Sequence, residues 1–258
     1  MPVAIETYTE ELYAALRGRR TVAPLTAREP GITIDDAYQI SLGLLSRRLA
    51  DGEKLIGKKI GVTSKPVQTA LGVYQPDFGY LTDRMRCEGE VPISRELIQP
   101  RAEGEIAFVL GKDLVGPGIT AADVLAATDH VAPCFEIVDS RVEGWKIRIQ
   151  DTIADNASSG MFVLGEARVD PRGFDFVTCG MVIEKNGEII STGAGAAALG
   201  SPVTCVAWLA NTLGARGVSL LAGDIVLSGS LVPLEPVVPG DRMRLRLGGA
   251  GGAEVVFT

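Results

Sequence analysis

Residues 101–110 read RAEGEIAFVL and place two carboxylates, Glu103 and Glu105, two residues apart at the start of an apolar run. In a β-strand, residues i and i+2 face the same way, so both acids share one side. Ile106, Phe108 and Leu110 take the other side, where they can anchor the strand in a core. Adjacent buried carboxylates repel one another and lose their hydration, so they need a compensating charge. A third acid, Glu136, interrupts a second apolar run at residues 131–140, VAPCFEIVDS, with Phe135 and Ile137 directed away from it. Three carboxylates, read as having no His or Cys ligand nearby, describe a hard oxygen-ligand site for Mg²⁺ or Mn²⁺. On pattern alone the alternative is that Glu103 and Glu105 are solvated positions of an edge strand.

A cation held by three carboxylates keeps open positions that a 2-oxo acid can fill through its carboxylate and 2-oxo oxygens. An enzyme of this kind also needs a proton shuttle. The candidates are Lys59, Asp77 and the loop around Ser158. Lys59 stands among Gly57, Ile60 and Gly61 on an apolar stretch that reads as a largely buried strand, with Lys58 facing outward. The alternative for Lys59 is an ordinary surface lysine.

Several elements must position these groups. Residues 9–19 form an amphipathic helix with Leu12, Tyr13 and Leu16 on one face. A second helix begins at Thr33, an N-cap with Asp36 at N3, and stops at Gly52. The first 50 residues are therefore helical. Residues 54–62 form a short strand, and Ser64 with Pro66 opens a helical turn that Leu71-Gly72 ends. Residues 73–81, rich in Pro and Gly, read as a loop that holds Asp77. Thr120 with Asp123 starts a short helix that runs to His130. Residues 145–149 alternate like a strand, and 151–160 read as a polar loop. Residues 181–190 form a hairpin around Asn186-Gly187, the preferred type I′ dipeptide. A helix follows Ser201-Pro202, and three strand-like runs occupy residues 223–257. The fold class is α+β: a smaller helical N-terminal region, residues 1–80, beside a mostly β domain, residues 81–258, together one functional unit.

The 258-residue chain is long enough for a sizeable core, and 46% hydrophobic content argues against disorder. A formal charge of −7 argues against nucleic acid or an anionic membrane as partner. No apolar run is expected to reach the length of a membrane span, and the acidic N-terminus lacks a signal-like apolar region, so a cytoplasmic location is expected. Cys87, Cys134, Cys179 and Cys205 lack CxxC spacing and read as buried free thiols. The single histidine, His130, excludes sites that need two imidazoles. Residues 193–200, GAGAAALG, match GxGxxA superficially. They follow a hairpin rather than a strand that leads into a helix, so tight backbone packing is expected and no dinucleotide cofactor.

The segments GKKIGVTSKPVQ, LGVYQPDFGYLTD, IQPRAEGEIAFVL, PCFEIVDSR, WKIRIQDTIADNASSG and EKNGEIISTGAGAAALGSPV resemble the 2-hydroxypenta-2,4-dienoate hydratases of the fumarylacetoacetate-hydrolase superfamily. The resemblance runs from about Pro24 to the C-terminus. It implies a twisted β roll beside a helical region, and metal ligation by Glu103, Glu105 and Glu136. It also implies Lys59 and Asp77 as acid/base residues and Ser158 close to a small 2-hydroxydienoate substrate. The implied reaction is ketonisation of the dienol followed by addition of water at C4, in meta-cleavage catabolism of aromatic compounds. A homo-oligomer is expected, with a complex with 4-oxalocrotonate decarboxylase as a further possibility. That decarboxylase is also the nearest rival activity, but its members typically carry an apolar residue where Asp77 stands. A non-enzymatic alternative is a partner subunit that only supports such a complex.

Overall fold

In the computed structural model, which describes residues 3–258, the N-terminal part is helical as expected. It contains α1 (Ile5–Gly18), the single turn α2 (Leu25–Arg28) and α3 (Ile34–Ala50). Thr33 and Asp36 close the expected capping box on α3: the Thr33 hydroxyl accepts from Asp36 N at 3.1 Å, and the Asp36 carboxylate accepts from Thr33 N at 3.0 Å. Helix α1 buries Thr9, Leu12 and Ala15. It starts four residues earlier than the apolar spacing suggests.

The chain then enters β1 (Leu55–Gly61), α4 (Lys65–Leu71) and β2 (Asp77–Thr82). Two short strands, β3 (Arg86–Cys87) and β4 (Glu90–Val91), and a turn of helix, α5 (Ile93–Glu96), lead to the long β5 (Pro100–Leu110). Helix α6 (Ala121–Ala127) connects it to β6 (Thr128–Asp139), and α7 (Ile149–Ala154) precedes β7 (Ser159–Leu164). The hairpin β8 (Gly180–Lys185) and β9 (Glu188–Ala194) turns at Asn186 and Gly187, both at positive φ as a type I′ turn requires. Helix α8 (Pro202–Gly214) and strands β10 (Ile225–Leu227), β11 (Glu235–Pro236), β12 (Arg242–Leu247) and β13 (Gly251–Phe257) complete the order.

An eight-stranded mixed sheet runs β2-β1-β10-β5-β6-β7-β3, with β11 beside β5, and curls into a half-barrel. The second sheet, β4-β13-β12-β8-β9, packs on the face of the first that is turned away from the carboxylates. Gly104 permits this approach, because a Cβ there would stand 2.5 Å from Met181 Sδ and 2.8 Å from Leu245 Cδ1. Ile106, Phe108, Phe135 and Ile137 fill the core on that side, as the alternation predicts. On the carboxylate side a smaller apolar cluster of Leu81, Ala107, Cys134, Phe162 and Leu227 plugs one end. The fold is α+β. Residue 80 lies inside β2, and β1 and β2 pair into the sheet that carries the three glutamates.

Several expectations are corrected. Asp77 is not in a loop; it opens β2, with Pro76 just before the strand, where its missing N–H costs no ladder bond. His130 lies within β6 rather than at a helix end. Residues 145–149 do not form a strand: residues 143–145 make a 3₁₀ turn and α7 begins at Ile149. Residues 151–160 are not a polar loop but the rest of α7, a second 3₁₀ turn and the start of β7. One stretch, Gly195–Gly214, does reach the length and apolarity of a membrane span. Within it, Val203, Cys205, Val206, Leu209, Ala210 and Leu213 of α8 are packed in the core. Three of the four free thiols are buried, and Cys87 is half-buried. The small residues 193–200 serve close packing as expected: a Cβ on Gly195 would fall 1.8 Å from the Phe176 carbonyl oxygen.

Candidate active site

The antiparallel register of β5 and β6 sets Glu103 directly opposite Glu136, and Glu105 opposite Cys134. One carboxylate oxygen from each of Glu103, Glu105 and Glu136 lies within 4.8 Å of the others. Glu105 and Glu136 are buried, and Glu103 opens onto a cavity. Glu105 Oε2 accepts from Gly229 N at 2.8 Å, but its Oε1 and both oxygens of Glu136 have no hydrogen-bond partner. Lys59 Nζ stands 3.1 Å from Glu136 Oε1, an ion pair between nearly inaccessible side chains.

Lys59 and Asp77 arrive from β1 and β2, whose register pairs Gly61 with Asp77 and Lys59 with Gly79. Asp77 is fully buried, with neither oxygen hydrogen-bonded. Gly61 makes room for it, since a Cβ there would stand 2.3 Å from Asp77 Oδ1. Burial alone would lower the Lys59 pKa, but Glu136, Asp77, Glu103 and Glu105 together hold it above the ordinary lysine value. Burial pushes Asp77 up to about 6 against the pull of Lys59, with Glu136 adding to the rise. Burial and the Glu136 charge push Glu103 up to about 8, and burial with both neighbouring glutamates raises Glu105 well above its usual range. One ammonium therefore faces four carboxylates, and buried oxygens are left unpaired. This donor set fits a hard divalent cation held by Glu103, Glu105 and Glu136.

The expectation of no nearby thiol is corrected, because Cys134 lies on the same face two residues from Glu136. Burial and the Glu105, Glu136 and Glu103 charges raise its pKa well above the usual thiol value, so it stays protonated. It packs in the apolar plug and is not among the grouped ligand atoms. Lys58 also differs from expectation. It points away from Lys59 but not into solvent, being buried with Nζ 2.6 Å from Asp224 Oδ2.

The cavity, about 610 Å³, is lined by Lys59, Asp77, Glu103, Thr152, Ser158 and Ser230, by Thr63, Ser64 and Lys65, and by carbon-rich side chains such as Val138, Trp145, Ile147 and Leu234. Ser158 therefore joins the other candidates, from a backbone that sequence reading did not anticipate. Asn156, Ala157 and Ser158 all have left-handed φ, at 56°, 50° and 53°. The Asn156 side chain clamps them to β2, donating to Tyr80 O at 2.9 Å and accepting from Tyr80 N at 2.7 Å. The Ser158 hydroxyl lies 3.3 Å from Thr152 Oγ1 and 3.5 Å from Asp155 Oδ2, and Asp155 is paired with the buried Arg141. Thr152 and Ser230 were missed, and no local motif marks either one. Asn156 had a faint signal, since asparagine tolerates left-handed backbone.

The fumarylacetoacetate (FAA) hydrolase C-terminal family matches residues 64–257. A 2-hydroxypent-2,4-dienoate hydratase of Pseudomonas putida is 68% identical over 212 residues, covering 81% of this chain and 96% of its own. A 2-hydroxyhexa-2,4-dienoate hydratase of Comamonas testosteroni is 57% identical over 257 residues, covering 98% and 97%. Among solved structures, 4-oxalocrotonate decarboxylase of Pseudomonas putida G7, complexed with magnesium and adipate, superposes with a TM-score of 0.95 at 37% identity. It covers 98% of this chain and 97% of that one.

Proposed function

The chain belongs to the fumarylacetoacetate hydrolase family, and from that membership we propose that it hydrates 2-hydroxypenta-2,4-dienoate to 4-hydroxy-2-oxopentanoate in meta-cleavage catabolism. The observation that carries the proposal is the facing pair Glu103 and Glu136, joined by Glu105, with Glu103 opening onto a cavity that Lys59 and Asp77 also line. A divalent cation held by these three glutamates, Mg²⁺ or Mn²⁺, would withdraw electrons from the bound acid and stabilise enolate charge. Lys59, kept charged by its carboxylate neighbours, donates a proton to C5 of the dienol while Asp77, with both oxygens free of hydrogen bonds, accepts the 2-hydroxyl proton, which gives the α,β-unsaturated 2-oxo acid. Asp77 then orients the water that adds at C4; the water proton returns to Lys59 and the Asp77 carboxyl gives its proton to C3. Ser158 and Thr152 supply hydroxyls that hold the substrate's polar end. Residues 1–80 bring the proton shuttle and 81–258 the carboxylates, so the two regions act as one unit.

Decarboxylation of 4-oxalocrotonate is the second reading, favoured by the 37% identity to that enzyme. Loss of CO₂ needs only an electron sink, whereas hydration also needs a group to manage water. The retained Asp77 therefore supports the hydratase. A cytoplasmic homo-oligomer, with docking to a decarboxylase, belongs to the same proposal and rests on the family alone. The deciding experiment follows loss of dienoate ultraviolet absorbance by the isolated protein, with and without Mg²⁺ or Mn²⁺, and identifies the product. Rapid CO₂ release from 4-oxalocrotonate would make it the decarboxylase. No turnover of either substrate would make it a supporting subunit.

A further inference from the structure

Part of the cavity lining is apolar, and one of its residues is held in place by unusual means. Trp145 lines the cavity with Val138, Ile147 and Leu234. It adopts φ 58°, directly after Gly144 at 60°, a conformation that bulky side chains rarely take. Its indole N–H donates to Gln99 O at 3.0 Å, and the Arg101 guanidinium lies 4.6 Å from the ring centroid on one face. The Gln99 amide is itself tied to Ser140 O at 2.8 Å and Val142 O at 2.6 Å. Strain of this kind persists only where the surroundings over-determine it, and it concentrates at functional sites.

The register locates this wall relative to the carboxylates. Arg101, Glu103 and Glu105 are alternate residues of β5 and so share one face, at steps of roughly 7 Å. Arg101 stands opposite Val138, and Glu103 opposite Glu136. The Trp145 ring, stacked on Arg101, therefore lies one step beyond the Glu103–Glu136 pair, on the side away from Glu105. An acid whose 2-oxo head sits at the glutamates can direct its chain toward that ring. Because the indole N–H is committed to Gln99, the Trp145 ring itself offers a tail only carbon.

We infer that Trp145, backed by Arg101 and flanked by Val138 and Ile147, is the tail-recognition wall of this site, setting how long an alkyl tail is accepted. The inference rests on the 2-oxo-acid reading of the carboxylate site. Trp145 acts here as a specificity determinant and takes no part in proton transfer.

The test measures calorimetric binding of pyruvate, 2-oxopentanoate, 2-oxohexanoate and 2-oxooctanoate to the Mg²⁺-loaded protein, its Trp145→Ala and its Trp145→Phe variants. Burying one methylene is worth about 0.8 kcal/mol, so affinity in the unmodified protein should rise about fourfold per methylene up to the limit that the wall sets. Trp145→Ala should flatten that slope to less than about twofold while leaving pyruvate, which has almost no tail, within about twofold of its original affinity. Trp145→Phe should restore most of the slope. An unchanged slope in Trp145→Ala overturns the inference. So does an equal loss of pyruvate and long-chain binding, which would make Trp145 a structural prop. Binding that ignores Mg²⁺ yet keeps a Trp145-dependent slope would refute the metal reading of the site and support the wall.

Discussion

Loading the carboxylate site with a cation should release protons, and apparent affinity should rise with pH. In the metal-free protein the carboxyl of Glu103 is pushed up to about 8, and that of Glu105 lies well above its usual range. At pH 7 the Glu103 carboxyl therefore holds its proton for most of the time, Glu105 is shifted the same way, and a cation must displace protons to reach the oxygens. One unit below its pKa, freeing the Glu103 carboxylate costs about 1.4 kcal/mol, a tenfold loss of apparent affinity relative to the fully ionised site. Affinity for Mg²⁺ or Mn²⁺ should thus climb about tenfold per pH unit from 6 toward 8 for one displaced proton, and more steeply where Glu105 also contributes. Calorimetric titration in two buffers of different ionisation heat counts the protons directly. The stability of the metal-free fold should move the other way. A carboxyl whose pKa is raised on folding contributes stability that is fully present below its unfolded value, 4.5 for Glu103, and that is lost as pH rises through about 8. The metal-free protein should therefore melt lower at pH 9 than at pH 6, and added cation should recover most of the difference. Cation binding that releases no proton and has flat affinity between pH 6 and 8 would refute the account of a crowded, protonated carboxylate cluster.

Glu103→Gln and Glu136→Gln should each abolish metal-dependent turnover; full activity after exhaustive chelation would contradict this. The melting temperature of the metal-free protein should stay equal or rise in Glu103→Gln, which removes a carboxyl that burial disfavours, and fall in Glu136→Gln, which leaves the buried Lys59 without its ion-pair partner. Lys59→Ala should lower kcat by about 10² to 10⁴, or roughly 3–5 kcal/mol of barrier, and should also lower the stability of the metal-free protein, because it leaves the buried Glu136 without its ammonium. Lys58→Ala should lose about 3 kcal/mol of stability in denaturant melts because it strands the buried Asp224, but with kcat nearly intact in the folded fraction. Asp77→Asn should impair hydration while the protein still binds oxalate with Mg²⁺ almost normally. Gly61→Ala should reproduce that pattern, because its methyl group would collide with the Asp77 carboxylate; normal hydration by either variant would leave Asp77 without a chemical role.

The glutamate triad was legible because strand periodicity is strict: an acid at every second position of an apolar run must share a face, and Glu103 and Glu136 face one another as that parity requires. The same parity, applied one step further, would have placed Cys134 beside Glu105, since it stands two residues from Glu136. Lys58 was misjudged for a related reason. Alternation tells which way a side chain points but not what lies there, and here the opposite face is covered, so Lys58 needs the Asp224 carboxylate. Asp77 was found as a candidate but put in the wrong element, because Pro76 and Gly79 look like turn residues. Gly79 is instead a strand residue whose missing side chain admits the Asn156 carbonyl, which would lie 2.5 Å from a Cβ there.

The backbone around Ser158 was least legible, and the cause is physical. Asn156, Ala157 and Ser158 include no glycine, yet all three sit in the left-handed region. Local preference opposes this, so the conformation must be imposed by distant partners: the paired hydrogen bonds of Asn156 to the Tyr80 backbone, 76 residues away, and the Arg141–Asp155 pair beneath. Those contacts join the strand that carries Asp77 to the turn that carries Ser158, so two cavity residues are fixed relative to one another by side chains that never touch the cavity. A reading based on spacing finds residues whose own element aims them at the site, such as Glu103, Glu105 and Lys59. It cannot find residues aimed by a tertiary clamp, and Trp145, held by the Gln99 carbonyl and the Arg101 guanidinium, is another of these.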